Sequence, residues 1–293
     1  MPGWQGKSQA TPLGYRIFVG ILKRFGVQPA YVLLRFVALY YFFFSRKSSR
    51  AILAYFRQRL GYNAIPSLIK LYRNYYLFGQ TLIDKIVMMS GIPNKFTFDF
   101  DGEEHLHTIA KLQRGGLLLS GHIGNWEIAG HLLKRLETPI NILMYDGEHR
   151  QIKDYLETVT GKRNARIIVI KDDLSHIYAI SDALKNNELV CMHADRFLEG
   201  NKTVTVNFLG ANALLPAGPF LLAATFKAPV SFVFSLKETS LHYHFFATAT
   251  KEYAGVSRDE IIQQIANDFA FEMEKKVKAY PEQWFNYYDF WKQ

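Results

Sequence analysis

The stretch Leu117-Leu-Leu-Ser-Gly-His-Ile-Gly-Asn-Trp-Glu-Ile-Ala-Gly130 joins an apolar run to a glycine-containing turn and a helical segment. The apolar run predicts a buried strand, and strand-to-helix turns lie at the carboxyl edge of a sheet, where the sites of α/β folds gather. Gly121 and Gly124 permit a tight turn and close approach of a substrate. The polar side chains that follow the strand, beginning with His122, are therefore the first candidates for a site.

The chain around this turn alternates short apolar runs with amphipathic segments from Gly115 onward. The predicted strands are Phe96–Phe100, Gly116–Ser120, Ile140–Tyr145, Ala165–Ile170, Glu188–His193, Val204–Phe208, Val230–Ser235 and His242–Thr248. The predicted helical segments are Trp126–Leu136, Gln151–Thr160, Ser175–Leu184, Pro219–Phe226 and Arg258–Ala279. This alternation predicts an α/β fold with a mixed, largely parallel central sheet flanked by helices.

The N-terminal part is helical and apolar. Residues 12–25 form a basic amphipathic segment, and Pro29–Ser45 is almost wholly apolar apart from Arg35. A run of roughly 17 residues is near the lower limit for a membrane span, and a central arginine costs at least about 2.5 kcal/mol on insertion. We therefore expect a helix that lies in or dips into the membrane interface. A single-pass span stays open, and the alternative is a core helix of a soluble domain.

Two further helices are predicted between residue 48 and about residue 90, where Ile92-Pro93-Asn94 breaks the pattern. The predicted organisation is an N-terminal helical membrane-associating region, residues 1–90, and an α/β domain, residues 91–293, that carries the candidate site. The two parts are expected to work as a single unit.

The composition limits the class of partner. A formal net charge of +9 and a pI near 9.4 favour an anionic partner. Nucleic acid, phospholipid headgroups and an acidic carrier protein all qualify, but no helix-turn-helix or zinc-finger spacing supports nucleic acid. Cys191 is the single cysteine, so no intrachain disulfide is possible. Its apolar strand context predicts a buried, inert thiol rather than a nucleophile.

His122 and Glu127 are the candidate catalytic pair. On one helix a spacing of five residues places two side chains about 140° apart, so the pair can meet only if His122 precedes the helix. Glu127 would then accept a hydrogen bond from Nδ1–H, which leaves Nε2 as a general base. A structural pair at a helix start is the alternative. No metal site is expected, since the histidine spacings match no recognised zinc motif.

The segment Ser120-Gly-His-x-Gly-Asn-Trp-Glu127 resembles the HX4(D/E) motif of the glycerolipid acyltransferase superfamily, in the form typical of lipid A late acyltransferases. The resemblance extends to later blocks in the same order, from about residue 12 to the end: Cys191-Met-His-Ala-Asp-Arg196, Phe208-Leu-Gly210, Ala217-Gly-Pro219, Ala228-Pro-Val230 and Pro281-Glu-Gln-Trp284. The motif alone is weakly specific, whereas the ordered blocks together are specific.

The resemblance implies a membrane-bound acyltransferase without a covalent acyl-enzyme. His122 would deprotonate the hydroxyl or amine of a lipid acceptor, which attacks the thioester of acyl carrier protein or coenzyme A. No cofactor is implied. The implied substrate-binding residues are Gly124, Asn125, Asp195, Arg196 and Gly218, and backbone N–H groups near Gly124–Asn125 would stabilise the developing charge. The implied location is the cytoplasmic face of the bacterial inner membrane, peripheral or single-pass.

Two departures from the family pattern concern the acceptor. Tyr145-Asp146 stands where relatives that act on lipid A carry Tyr-Arg, and Asn286–Asp289 replaces a His-Arg-Arg block. Because arginine is the natural ligand of phosphate, we expect a mono-acylated or amino-acid lipid acceptor rather than a lipid A precursor.

Several sequence features admit more than one interpretation. His193 is predicted equally as a packed strand residue or a site residue, and Asn125 equally as a helix cap or a substrate contact. For Asp195 and Arg196, the alternative to substrate binding is an ion pair within the protein. For the whole chain, the alternatives are a lipid or thioester hydrolase that uses the same His–Glu pair and a non-catalytic membrane scaffold.

Overall fold

The computed structural model describes residues 12–89, 91–126, 128, 136, 138–145, 166–171 and 173–291. The helices are α1 (Pro12–Phe25), α2 (Val27–Phe44), α3 (Arg46–Ala54) with a π-helical extension (Tyr55–Arg59), α4 (Ala64–Met89), α5 (Glu103–Lys111), α6 (Ser175–Lys185), α7 (Ala217–Phe226) and α8 (Arg258–Ala279). The strands are β1 (Thr97–Asp101), β2 (Gly116–Ser120), β3 (Ile140–Tyr145), β4 (Arg166–Ile170), β5 (Leu189–His193), β6 (Thr203–Phe208), β7 (Ala211–Pro216), β8 (Val230–Lys237) and β9 (His242–Ala247). A short 3-10 helix, Pro281–Gln283, follows α8.

Seven strands form one sheet in the order β1-β9-β8-β2-β5-β3-β4. All neighbours are parallel except β8 and β9, which are antiparallel. Strands β2 and β5 are adjacent near the centre, with Ser120 opposite His193. The mixed, largely parallel sheet that the sequence predicts is confirmed, and the residues that follow β2 and β5 meet at one sheet edge.

The two faces of the sheet are covered by different elements, as expected for strands that are apolar on both sides. On one face, Leu117 and Leu119 of β2 join the main core cluster with Phe220 of α7 and Phe269 of α8. On the other face, Leu118 packs with residues of α5 in a smaller cluster. Strand β2 is completely buried as a result, which fixes the position from which the His122 turn starts.

The N-terminal helices pack on the α/β core through one side of α2. Tyr31, Leu34 and Ala38 of this helix are buried, and α2 approaches α4 closely at Gly79, where an added Cβ would lie 2.3 Å from Leu34 Cδ1. The main core cluster includes residues of α2, α3 and α4 together with the sheet. The predicted boundary near residue 90 therefore separates two chain segments that share a core, and the domain division stays a prediction.

The other side of α2 is exposed and apolar. Val32, Phe36, Leu39, Tyr40, Phe43 and Phe44 recur at helical spacing and are 44–70% exposed. Within the described ranges, Val27–Phe44 is a helix of sufficient length and apolar character to cross a membrane, with 28% of it buried in the protein. These six side chains, with Ile65, Leu68 and Ile69 at the start of α4, are called the apolar face below.

Two elements escaped the sequence analysis. Helix α5 was not predicted. Strand β7 pairs with β6 as an antiparallel hairpin, joined at Leu209 (φ 51°) and Gly210 (φ 75°). Two positive φ values are typical of the tight turns that connect hairpins, but leucine is not a usual residue at such a position. The sequence Leu209-Gly210 therefore did not indicate a hairpin turn. The predicted segments Gln151–Thr160 and most of Trp126–Leu136 lie outside the described residues.

Candidate active site

His122 and Asp195 form the centre of the candidate site. The Nδ1 atom of His122 lies 2.7 Å from Oδ1 of Asp195, and the backbone N–H of His122 donates to Oδ2 of the same carboxylate at 2.9 Å. The Asp195 side chain is 1% exposed, whereas that of His122 is 24% exposed. One carboxylate thus holds both the backbone and the ring of a histidine that reaches the surface.

The sheet register explains this contact. Ser120 of β2 is opposite His193 of β5 in the parallel pair. His122 and Asp195 each follow these strand ends by two residues, so the two side chains leave the sheet edge side by side. The sequence placed both residues after strands, but the adjacency of β2 and β5 is a long-range property that periodicity does not show.

Asp195 is ionised in this setting. Burial alone raises the pKa of its carboxyl, but the nearby His122 charge, the hydrogen bonds from His122 and the Arg196 guanidinium outweigh burial and hold the pKa well below its usual range. An ionised carboxylate only accepts hydrogen bonds. The proton between the two groups is therefore assigned to Nδ1 of His122, and Nε2 is the ring atom that can accept a proton.

This geometry revises the predicted partner of His122. The sequence spacing predicts Glu127 as the hydrogen-bond acceptor at Nδ1, whereas the described acceptor at Nδ1 is Asp195. Glu127 itself lies outside the described residues. Asp195, which was expected to bind substrate, holds the ring and the backbone N–H of His122 with a buried side chain, and its contact with substrate stays a prediction.

His193 packs directly on His122. Its ring stacks on that of His122 with 4.1 Å between centroids, and the Trp126 ring meets its edge at 4.7 Å. Burial, followed by the His122 charge, lowers the pKa of His193 well below its usual value, so the ring is neutral. Neither ring nitrogen of His193 has a hydrogen-bond partner among the described residues. The nearby Ser120 backbone raises the pKa of His193, but this effect is smaller than that of burial.

His122, His193 and Asp195 offer potential metal ligands within 4.8 Å of one another. The stacked rings do not suit a shared metal ion, since the lone pairs of an imidazole lie in the ring plane and those of two stacked rings run side by side. Asp195 is also already bonded to the imidazole. The absence of a metal requirement stays a prediction that this arrangement supports.

The turn that carries His122 is held by main-chain hydrogen bonds on two sides. The N–H of Gly124 donates to the Gln283 carbonyl at 2.9 Å, and the N–H of Asn125 donates to the Ser235 carbonyl at 2.7 Å. The N–H of Phe285 donates to the His122 carbonyl at 3.0 Å. The Gly124 and Asn125 amides therefore already have acceptors within the protein, and stabilisation of a developing charge by backbone N–H groups near them stays a prediction.

Asn125 and Gly124 are packed closely against neighbouring elements of the protein. The Asn125 side chain is 4% exposed and donates through Nδ2 to the Thr81 carbonyl at 3.0 Å and to the Tyr243 hydroxyl at 3.4 Å. Gly124 has a φ of +67°, and an added Cβ would lie 1.9 Å from the Ser235 oxygen. The described contacts of both residues lie within the protein, and their contact with substrate stays a prediction.

The remaining predicted residues lie farther along the chain. Arg196 donates through Nη2 to the Phe285 carbonyl, while its buried Nε has no partner among the described residues. Gly218 is exposed in the first turn of α7. Their substrate-binding roles stay predictions. The Cys191 thiol has a pKa raised to about 12 by burial, which supports the prediction of an inert thiol.

An apolar cavity lies beside the site. Among the described residues it is lined by Leu118, Ser120, Trp126, Ile142, Leu143, Cys191, Met192, His193, Val233, Phe234 and Ser235. Its lining includes Leu118 of β2 and His193 of β5. An apolar recess next to a base–carboxylate pair suits a substrate with a hydrocarbon part.

Two known proteins show partial similarity to this chain. The chain is 28% identical over 127 residues to a phosphatidylinositol mannoside acyltransferase from Mycobacterium tuberculosis, an alignment that spans 42% of this chain and 39% of that relative. A crystal structure of a 1-acyl-sn-glycerophosphate acyltransferase from Thermotoga maritima aligns with a TM-score of 0.39 and 11% identity, over 85% of this chain and 95% of that one.

The family comparison covers most of the chain. A family model described as bacterial lipid A biosynthesis acyltransferase matches residues 73–293, a range that runs from α4 through the His122 turn and the C-terminal segment that holds it. The chain belongs to the family of bacterial lipid A biosynthesis acyltransferases.

Proposed function

We propose that this protein transfers a fatty acyl group from an acyl thioester to the hydroxyl or amine of a lipid acceptor at a membrane surface. The observation that carries the proposal is the pairing of a partly exposed imidazole, His122, with a buried ionised carboxylate, Asp195, in a chain of this family. The donor is acyl carrier protein or coenzyme A, whose acidic character suits the net charge of +9.

The chemistry needs one proton transfer in each direction. Nε2 of His122 takes the proton of the acceptor O–H or N–H as the acceptor atom attacks the thioester carbonyl carbon. The C–S bond then breaks, and the imidazolium returns the proton to the leaving thiolate. Asp195 stabilises the imidazolium between the two steps. General-base help of this kind contributes roughly 10²–10⁴-fold, and positioning must supply the rest.

Glu127 remains a proposed second carboxylate of the site. The Glu127→Gln variant, measured beside Asp195→Asn, separates the two assignments. A loss of kcat in both variants supports joint orientation of His122, and a loss in Asp195→Asn alone assigns orientation to Asp195.

The acceptor is proposed to be a mono-acylated or amino-acid lipid. The segment Asn286–Asp289 supplies no arginine beside the site, and the Nη2 donor of Arg196 is already bonded to Phe285. A phosphorylated disaccharide would need such donors. The related mycobacterial protein is named for a glycosylated phospholipid acceptor, which supports a lipid acceptor in general terms.

The apolar cavity beside His193 is the proposed entrance for the acyl chain. Its Leu118, Ile142 and Val233 side chains offer hydrocarbon contacts, and its lining includes His193, whose ring stacks on that of His122. A thioester whose chain enters there would bring its carbonyl near His122.

The apolar face of α2 and α4 is proposed to lie in the membrane interface at the cytoplasmic side of the bacterial inner membrane. One side of α2 is packed on the protein, and Arg35 is exposed beside the apolar side chains. A helix packed along one side suits a peripheral position better than a span.

Replacement of Phe36 by Glu is expected to weaken binding to anionic phospholipid vesicles by about tenfold or more, since transfer of one phenylalanine side chain from water is worth about 1.5–3 kcal/mol. Vesicle sedimentation measures the change. Phe271→Glu is the matched control, because Phe271 is 62% exposed on α8, outside the apolar face, against 67% for Phe36. Equal loss in both variants, or none in either, would contradict the assigned face.

The activity is tested by incubating the protein with radiolabelled acyl-carrier protein or acyl-coenzyme A, with and without candidate lipid acceptors. We expect acylated lipid only when a mono-acyl aminolipid or a similar acceptor is present, with a His122→Ala protein as the blank. Release of fatty acid at the same rate without acceptor would favour the hydrolase, and no product with any donor would favour the scaffold. Acylation of a lipid A precursor but of no mono-acyl lipid would contradict the proposed acceptor.

A further inference from the structure

A buried cluster of charged and phenolic side chains lies next to the active-site turn, Gly121–Asn125. Asp84 of α4 accepts hydrogen bonds from Nζ of Lys237 and from the hydroxyls of Tyr31 and Tyr243. Lys237 Nζ also donates to the Tyr31 hydroxyl at 2.9 Å. The side chains of Asp84 and Lys237 are 0% and 1% exposed. Every charged atom of this pair therefore interacts inside the protein.

The cluster joins three parts of the chain that are distant in sequence. Tyr31 comes from α2 on the side opposite the apolar face, Asp84 comes from α4, and Lys237 and Tyr243 come from the antiparallel strands β8 and β9. The Lys237 ammonium also lies 5.1 Å and 4.8 Å from the ring centroids of Tyr31 and Tyr243. The cluster thus fixes the position of α2 relative to the edge of the sheet.

The active-site turn is attached to the same cluster by two routes. Through side chains, Nδ2 of Asn125 donates to the Tyr243 hydroxyl at 3.4 Å. Through the backbone, the Lys237 N–H and C=O pair with the side-chain amide of Gln283 at 2.8 Å and 2.7 Å, and the Gln283 carbonyl accepts from the Gly124 N–H. Neither route contains His122 or Asp195.

Packing alone does not require such a cluster. Removing two charges from water is expensive, and a buried ion pair is often replaceable by apolar side chains without loss of stability. Buried polar groups that are fully satisfied instead fix one arrangement among several. The arrangement that this cluster fixes is the one between the membrane-facing helix and the turn that carries the base.

We propose that Tyr243, Asp84, Lys237 and Tyr31 are positioning residues for acyl transfer, which hold the Gly121–Asn125 turn in its reactive geometry and tie it to α2. The proposal rests on the proposed function. A helix seated in the interface through Phe36 and its neighbours then carries the turn at a fixed depth relative to the acceptor lipid. Displacement of the turn would misplace His122 without removing any group that reacts.

The test uses the full-length protein, a vesicle-borne acceptor and the single-atom changes Tyr243→Phe and Tyr31→Phe. Each removes a hydroxyl and keeps the ring. We expect kcat to fall by about 2–12-fold, the equivalent of one hydrogen bond, with KM for the donor unchanged. The downfield proton resonance of the His122 ring, which reports the bond to Asp195, is expected to shift or broaden in both variants.

Tyr253→Phe is the matched control. It removes a phenol that donates to the Asp268 carboxylate at 2.9 Å, outside the cluster, and is expected to leave kcat and the ring resonance unchanged. The double variant Asp84→Asn with Lys237→Met removes both charges. We expect it to lower kcat at least as much as Tyr243→Phe does. If Tyr243→Phe does not fold, Tyr31→Phe carries the test alone.

The outcomes separate the two proposals. Folded Tyr243→Phe and Tyr31→Phe proteins with the kcat of the original chain would overturn the positioning role, as would an equal loss in Tyr253→Phe. An original chain that shows no acyl transfer, or a His122→Ala protein that retains it, would instead contradict the proposed function.

Discussion

Replacement of Asp195 by Asn is expected to lower kcat by roughly 10²–10⁴-fold while the protein stays folded. The carboxylate accepts from both the backbone N–H and Nδ1 of His122. An amide has one acceptor atom and one donor group, so it can satisfy only one of these two donors. If its NH2 group meets the ring, Nδ1 must become an acceptor, the proton moves to Nε2, and the base is lost. If it meets the backbone N–H, two donors face each other and the turn must shift.

The measurement is kcat at saturating donor, with the thermal midpoint as the test of folding. Glu188→Gln is the matched control, since Glu188 is a buried carboxylate directly before β5, at the opposite end of the strand from Asp195. It accepts from Asn141 and Arg166, each at 2.7 Å. We expect this control to lose stability but not kcat. An Asp195→Asn protein with unaltered kcat would remove Asp195 from the mechanism.

The position of the candidate base was predictable from the sequence, but its carboxylate partner was not. An apolar strand followed by a glycine-containing turn is a local pattern, and it placed His122 at a sheet edge correctly. The contact with Asp195 spans 73 residues. It depends on β5, and not β3, being the neighbour of β2 on this side. Strand order is decided by the packing of the entire sheet, so the nearer acid, Glu127, was the partner that local spacing indicated.

The role of the C-terminal segment was also beyond local reasoning. Pro281–Trp284 was noted only as part of a resemblance, but the structure brings Gln283 and Phe285 onto the turn through backbone hydrogen bonds. Asn74 of α4 holds the same segment by donating to the carbonyls of Glu282 and Trp284. Backbone contacts leave no signature in side-chain chemistry, which is why neither pattern nor charge pointed to them.

Gly124→Ala is expected to lower both stability and kcat, the latter by about 10²-fold or more. A left-handed conformation costs an alanine roughly 1–2 kcal/mol, and the new Cβ would lie 1.9 Å from the Ser235 carbonyl oxygen. That oxygen belongs to β8, whose backbone is fixed by pairing with β9 and the parallel contact with β2. The turn must therefore move instead of the strand. Its movement strains the hydrogen bond from Asn125 to Ser235 and displaces His122, and a shift of about 1 Å in a reacting group is enough for such a loss.

Gly218→Ala is the control variant for the predicted loss of stability. Gly218 lies in the first turn of α7, has no positive φ, and an added Cβ there would meet nothing within 4 Å. We expect its thermal midpoint to be unchanged or higher, because alanine favours a helix over glycine by up to about 1 kcal/mol. A Gly124→Ala protein that melts and turns over like the original chain would show that the turn can shift away from Ser235 at little cost. In that case the tight backbone packing of the turn would not be what places the base, and the positioning role inferred for the buried cluster would lose its mechanical link to His122.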